Sequence, residues 1–85
     1  MRPPAVYDLY KAEKGFEETY SRLGVELALG TPRRHLDILV ELCEVYLRDC
    51  GGSELAVTYR DQLDRTKRLI EVRHVLVNNR EAAND

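Results

Sequence analysis

Residues 36–47 read LDILVELCEVYL, and their only charged members are Asp37, Glu41 and Glu44. With Arg48 these positions step by four, three and four, so on a helix they form one narrow polar stripe. All the others are apolar, among them Leu36, Leu39, Val40, Leu42, Cys43 and Tyr46. A surface helix needs an apolar face of little more than ~100°, whereas this one is apolar over roughly three quarters of its circumference. A helix of that kind belongs at the centre of a bundle or of an assembly. The rest of the chain has to supply the neighbours that cover it.

Glycine and proline divide the chain into three helical segments. The first, expected over about 5–29, carries a seam at Val6, Leu9, Glu13, Phe16, Tyr20, Leu23 and Leu27, alternating three and four. Glu13 breaks that seam, and Ala12 fills part of the gap. Gly15 and Gly24 interrupt the helix at a cost of ~1 kcal/mol each, pointing to close packing or a bend. At Gly30-Thr31-Pro32, Gly30 suits a left-handed helix end, Thr31 a cap and Pro32 a first turn. The second helix then runs over about 32–49. Gly51-Gly52-Ser53 ends it and offers Ser53 as the next N-cap, with Glu54 in the following turn.

The third helix is expected over about 53–78, with a seam at Ala56, Tyr59, Leu63, Thr66, Ile70, Arg73 and Val77. Residues 69–77 are rich in β-branched side chains, a strand signal. The helix-favouring run before them, with no turn between, decides for helix. The polar tail 79–85 is expected to fray.

Eighty-five residues allow one small domain. Hydrophobic residues make up 44% and charged residues 33%, too apolar for disorder and too charged for a membrane protein. No apolar run approaches the ~20 residues of a membrane span. The opening Met1-Arg2-Pro3-Pro4 lacks the features of a signal peptide, so a cytoplasmic location is expected. A net charge of −2 gives no general drive toward nucleic acid or anionic lipid. Cys43 and Cys50, seven residues apart, lie ~10.5 Å apart along a helix, beyond the ~7 Å disulfide limit. Cys43 reads as a core residue, and Cys50, at a helix end, as partly exposed. No Cys/His cluster has metal-ligand spacing, and no cofactor motif occurs, so neither metal nor cofactor is expected.

Short connections make successive helices antiparallel neighbours, so the expected fold is all-α: an antiparallel three-helix bundle with long outer helices. The middle helix is the shortest, which leaves apolar overhangs at residues 25–29 and 69–77. Together with the wide apolar face, these overhangs predict a homo-oligomer or a protein partner. The interface candidates are Tyr7, Tyr10, Val25, Leu29, Leu39, Leu42, Tyr46, Leu69, Val72 and Leu76.

Polar groups offer further candidates. Arg33, Arg34 and His35 stand in the first turn of the second helix, where cations are unfavourable by ~0.3–1 kcal/mol each. With Thr31 and the free N–H groups they form a candidate anion site. On the third helix Arg60, Arg65, Lys67, Arg68 and Arg73 alternate with Asp61, Asp64 and Glu71, the pattern of a salt-bridged solvent face. Arg73 and Glu13, the two breaks in the apolar seams, form a candidate register pair.

Arg68 and His74, six positions apart, resemble the R-x(4–6)-H element of the small all-helical ribonucleases of the HEPN superfamily. The resemblance covers seven residues of a loose motif. It implies a site assembled across a dimer, with His74 in acid–base work beside an arginine. The leading expectation is instead a non-enzymatic helical interaction module: an assembly subunit, adaptor or small regulator. A nucleic-acid-associated regulator using the basic residues of helices two and three is the first alternative, and a HEPN-like ribonuclease the second.

Overall fold

A computed structural model describes the backbone of residues 6–84 and the side chains of residues 8–78. Within them lie three helices and no strand: α1 (Val6–Ala28), α2 (Arg33–Asp49) and α3 (Ala56–Asn84). The first expected residue of α1, residue 5, lies outside the described residues. The architecture is the small all-α bundle that the punctuation implies. α1 and α2 form the closest pair, an antiparallel hairpin, and α3 lies beside it, nearer to α2 than to α1.

The first turn is set by hydrogen bonds. Gly30 takes φ +80°, and its N–H donates to the Leu27 carbonyl while Thr31 N–H donates to Glu26. These are the two bonds of a Schellman ending, and they need a residue without Cβ strain at Gly30. Thr31 does not cap α2 as expected. Its hydroxyl is drawn back to the Glu26 carboxylate, and Pro32 is the N-cap with no side-chain cap bond.

At the second turn Ser53 Oγ accepts the N–H of Leu55 at 3.0 Å, and the Ser53 carbonyl accepts that of Ala56. Ser53 therefore caps a single turn, and the regular helix begins three residues later than expected. α3 also runs on to Asn84, past the expected end at 78. Nothing between 79 and 84 breaks a helix, and Arg80, Glu81, Ala82 and Ala83 favour one. At 29 residues α3 spans ~43 Å, against ~25 Å for the 17 residues of α2.

The core follows the seams. Ala12, Phe16 and Leu23 of α1 meet Leu36, Val40 and Cys43 of α2 and Ala56, Tyr59, Leu63 and Ile70 of α3. Phe16 is its centre, stacked on Tyr59 with ring centroids 4.4 Å apart and on Tyr20 at 5.6 Å. Thr66, the polar member of the α3 seam, is buried and shares a 2.8 Å hydrogen bond with the Tyr20 hydroxyl. Cys50, expected partly exposed, is fully buried along with Cys43. It extends the α2 seam by one more step of seven, and the turn after it folds back over α1.

Gly15 lets α1 and α2 approach closely, because its bare Cα faces the Tyr46 ring. Gly24 has open space around it and makes no such contact. The described core stops at Ile70. From there to residue 78 the side chains of α3 are largely in solvent.

Candidate functional site

α1 and α3 run parallel, and their contacts keep step. Glu13 meets Ser53, Glu17 accepts from the Tyr59 hydroxyl at 2.7 Å, Tyr20 meets Gln62 and Thr66, and Leu27 meets Arg73. This register excludes the expected Glu13–Arg73 pair. Glu13 and Leu27 are fourteen residues apart, ~21 Å along α1, and Arg73 sits at the Leu27 end. Glu13 instead accepts the Ser53 hydroxyl, and Arg73 donates to the Leu27 carbonyl.

The expected anion set is also dispersed. Thr31 is engaged with Glu26, and Arg33 pairs with Glu71 and, at 3.9 Å, with Asp37. Arg34 and His35 are exposed, and His35 borders a different depression from Arg33. Arg33 meets other basic groups at a cavity of about 170 Å³ behind the α1–α2 turn. Arg33, Arg73 and His74 line it together with Leu27, Leu36, Ile70 and Val77. Arg68 is not part of it. Six residues on a helix turn through about 600°, so Arg68 and His74 point ~120° apart. Arg68 is exposed and His74 half-buried, with its Nε2 3.1 Å from Asn78 Nδ2. One chain does not bring the HEPN-like pair together.

The apolar candidates separate into three regions. Tyr10 and Tyr46 line one broad groove of about 840 Å³ between the start of α1 and the end of α2, where Lys14 Nζ lies 5.8 Å from the Tyr10 ring centroid. Leu42 is exposed at mid-α2. Val25 and Leu29 of α1, with Leu69, Val72 and Leu76 of α3, are exposed at the opposite end of the bundle. Leu39 and Tyr46 are half-buried and pack against the core. Tyr7 lies outside the described side chains.

Sequence reasoning missed Ile38 and Val45. They flank Leu42 at steps of four and three, and Ile38 is 57% exposed. The three form a stripe on the side of α2 away from Leu36, Val40 and Cys43. The spacing held that signal, but every position of this segment looked equally fit for burial.

Charge is divided along the bundle. Across a plane through Tyr20 and Thr66, residues 19–42 and 65–78 carry seven Lys and Arg against four Asp and Glu, a net of +3. Residues 8–18 and 43–64 carry four against nine, a net of −5. Ion pairs absorb part of the positive end: Arg22–Glu26 at 3.5 Å, Arg65–Asp61 at 3.1 Å and Lys67–Glu44 at 3.2 Å. Burial pushes the Cys43 thiol up to about 11, with Glu44 adding to it, and raises that of Cys50, with Glu13 and Asp49 adding. Both thiols are therefore neutral side chains of the core, and neither is a nucleophile near neutral pH.

Among the described residues no His, Cys, Asp and Glu cluster could hold a metal ion, and no helix is long and apolar enough to cross a membrane. No protein-family model matches the chain, nor does any curated protein or solved structure. Function has to be read from the geometry alone.

Proposed function

We propose that this protein is a non-enzymatic helical interaction module, a subunit, adaptor or small regulator that binds another protein or its own copy through apolar helix faces. One observation carries the reading: an 85-residue bundle leaves whole apolar stripes in solvent instead of scattered single residues. On α2 the stripe is Ile38, Leu42 and Val45, and on α3 it is Leu69, Val72, Val75 and Leu76. Contiguous apolar surface of this kind on a small protein marks a contact surface, because each exposed methylene forgoes ~0.8 kcal/mol of burial.

Light scattering coupled to size exclusion tests the reading in wild type and in the double variant Ile38→Asp, Leu42→Asp. Both residues are exposed, so the variant keeps the helical circular dichroism of wild type. Self-association of wild type that the variant loses supports the reading and places α2 in the interface. A strictly monomeric wild type that captures no protein partner and binds no hydrophobic dye defeats it.

A further inference from the structure

We infer that the face formed by the C-terminal half of α3 and the adjoining side of α1 is a docking site for an acidic amphipathic helix of another protein. The inference rests on the interaction reading above and names the partner's chemistry. Leu69 lies three residues after Thr66, whose hydroxyl meets Tyr20, and Leu69 and Leu76 flank Arg73, which donates to the Leu27 carbonyl, so both leucines lie toward the α1 side of α3. Val72 stands between them, one step outward. Leu69, Val72 and Leu76 thus form a stripe at steps of three and four, and Leu76 is 62% exposed. That spacing is the one an amphipathic helix presents to a helical groove.

The α1 side of the same face is low and open. Ser21, Gly24 and Ala28 are all exposed, again at steps of three and four, and a Cβ built on Gly24 finds no atom within 4 Å. The register of Tyr20 with Thr66 and of Leu27 with Arg73 sets Gly24 beside Leu69. A fourth helix can therefore lie along α3 at the usual 8–10 Å without meeting bulk from α1.

Charge selects the occupant. Arg65 stands in line with the stripe one turn before Leu69, Arg68 borders it on its solvent side, and Arg73 lies on its inner side. Arg68 forms no ion pair among the described residues, and Arg65 is held only by exposed Asp61. Glu71, the acid nearest in sequence, turns the other way to Arg33 of α2. The face is apolar with a cationic border, in the positive half of the molecule. A second copy docked here in like register would set one positive end against another, so self-pairing through this face is disfavoured. Glutamates flanking an apolar seam are complementary to it.

The test uses a labelled amphipathic peptide of about four turns, with a leucine seam flanked on both sides by glutamate. Its controls carry lysine for glutamate, or serine for the seam leucines. Fluorescence anisotropy against the whole chain should show the acidic peptide binding at least about tenfold more tightly than either control, a ~1.4 kcal/mol preference. High salt should weaken it, and Val72→Asp with Leu76→Asp should abolish it. Arg68→Glu should shift preference from the glutamate toward the lysine peptide. All three residues are exposed, and circular dichroism of each variant checks that the fold is kept.

Equal binding of the acidic and lysine peptides, or no binding of either, overturns the inference. So does binding to phosphatidylglycerol vesicles, lost in the Val72→Asp, Leu76→Asp variant, when no peptide binds, because the face would then belong to a lipid surface. If the peptides fail while wild type still self-associates through α2, the interaction reading survives and only this inference falls. If wild type is also an inert monomer, both fall.

Discussion

The same substitution at the two glycines of α1 should change stability in opposite directions. Gly24 is in a helix interior, exposed and surrounded by open space, so Gly24→Ala recovers helix propensity at no steric cost. The gain is ~0.5–1 kcal/mol. Gly15→Ala recovers the same propensity, but its methyl would lie 2.6 Å from Tyr46 Cδ1 and 2.7 Å from Cζ, and nearer still to Cε1. Carbon contacts settle at ~3.5–4.0 Å, so the ring or the helix must retreat by ~1 Å.

The atoms met are the body of the aromatic ring, not the end of a flexible chain. Overpacking of this kind costs ~1–3 kcal/mol, which outweighs the propensity gain and leaves a net loss of ~1 kcal/mol. For a domain of this size each kcal/mol moves Tm by ~4–8 °C, so the two variants should melt roughly 10 °C apart, on opposite sides of wild type. Thermal circular dichroism and urea midpoints measure this directly. Replacing Tyr46 with Ala should remove the obstacle, so the cycle Gly15→Ala, Tyr46→Ala should show a favourable coupling of ~2 kcal/mol, the overpacking cost relieved. A Gly15→Ala variant as stabilised as Gly24→Ala, or a cycle with no coupling, would refute the close α1–α2 approach.

Leu23 is completely buried, and Leu23→Ala should cost ~2–5 kcal/mol, a large share of the ~4–13 kcal/mol expected for this chain length; urea unfolding will show it, and a loss under 1 kcal/mol would contradict its burial. Alkaline pH should destabilise the fold. Cys43 binds its proton up to about pH 11 when folded, but its ordinary value is 9.0. Its contribution is therefore complete below pH 9 and lost as pH rises toward 11, worth up to ~2–3 kcal/mol. Cys50 and Tyr59 are raised as well and act in the same direction, so Cys43→Ala should flatten the alkaline slope without removing it. A slope unchanged in Cys43→Ala would show that the buried thiol is not its source.

Helix periodicity made the α3 seam legible, and from Ala56 to Ile70 every expected position is buried. It failed at Arg73 because a seam residue is buried only while a neighbour runs alongside. α1 ends at Ala28, level with Arg73, so the seam outlasts its cover. The Glu13–Arg73 pair failed for a related reason. A pattern fixes the angle of a side chain about its helix, whereas pairing depends on height along it. The parallel course of α1 and α3 sets positions near both starts together. The exposed stripe on α2 was illegible because a segment apolar on nearly all sides does not say which sides its neighbours occupy. Tyr46 and Ile38 carry equal hydrophobic signals, and only the close approach at Gly15 sets Tyr46 against the core.

The arginines that begin α2 look misplaced in the sequence, and α3 resolves the difficulty. The last turn of α1 holds no basic residue, and the first turn of α2 holds no acidic one. Each is the unfavourable choice for a helix dipole. Glu71 and Arg73, two residues apart on α3, diverge around Ile70 toward the two helices of the hairpin. Arg73 donates to the Leu27 carbonyl, supplying a cation to the negative end of α1, and Glu71 pairs with Arg33, offsetting the cation at the positive end of α2. The hairpin termini are thus electrostatically incomplete until α3 lies across them. The order Glu71 then Arg73 fits one side only, since a shift of α3 by one residue would turn both groups away. A charge pattern that is unfavourable helix by helix becomes a device that sets the register of α3 where the buried seam has run out.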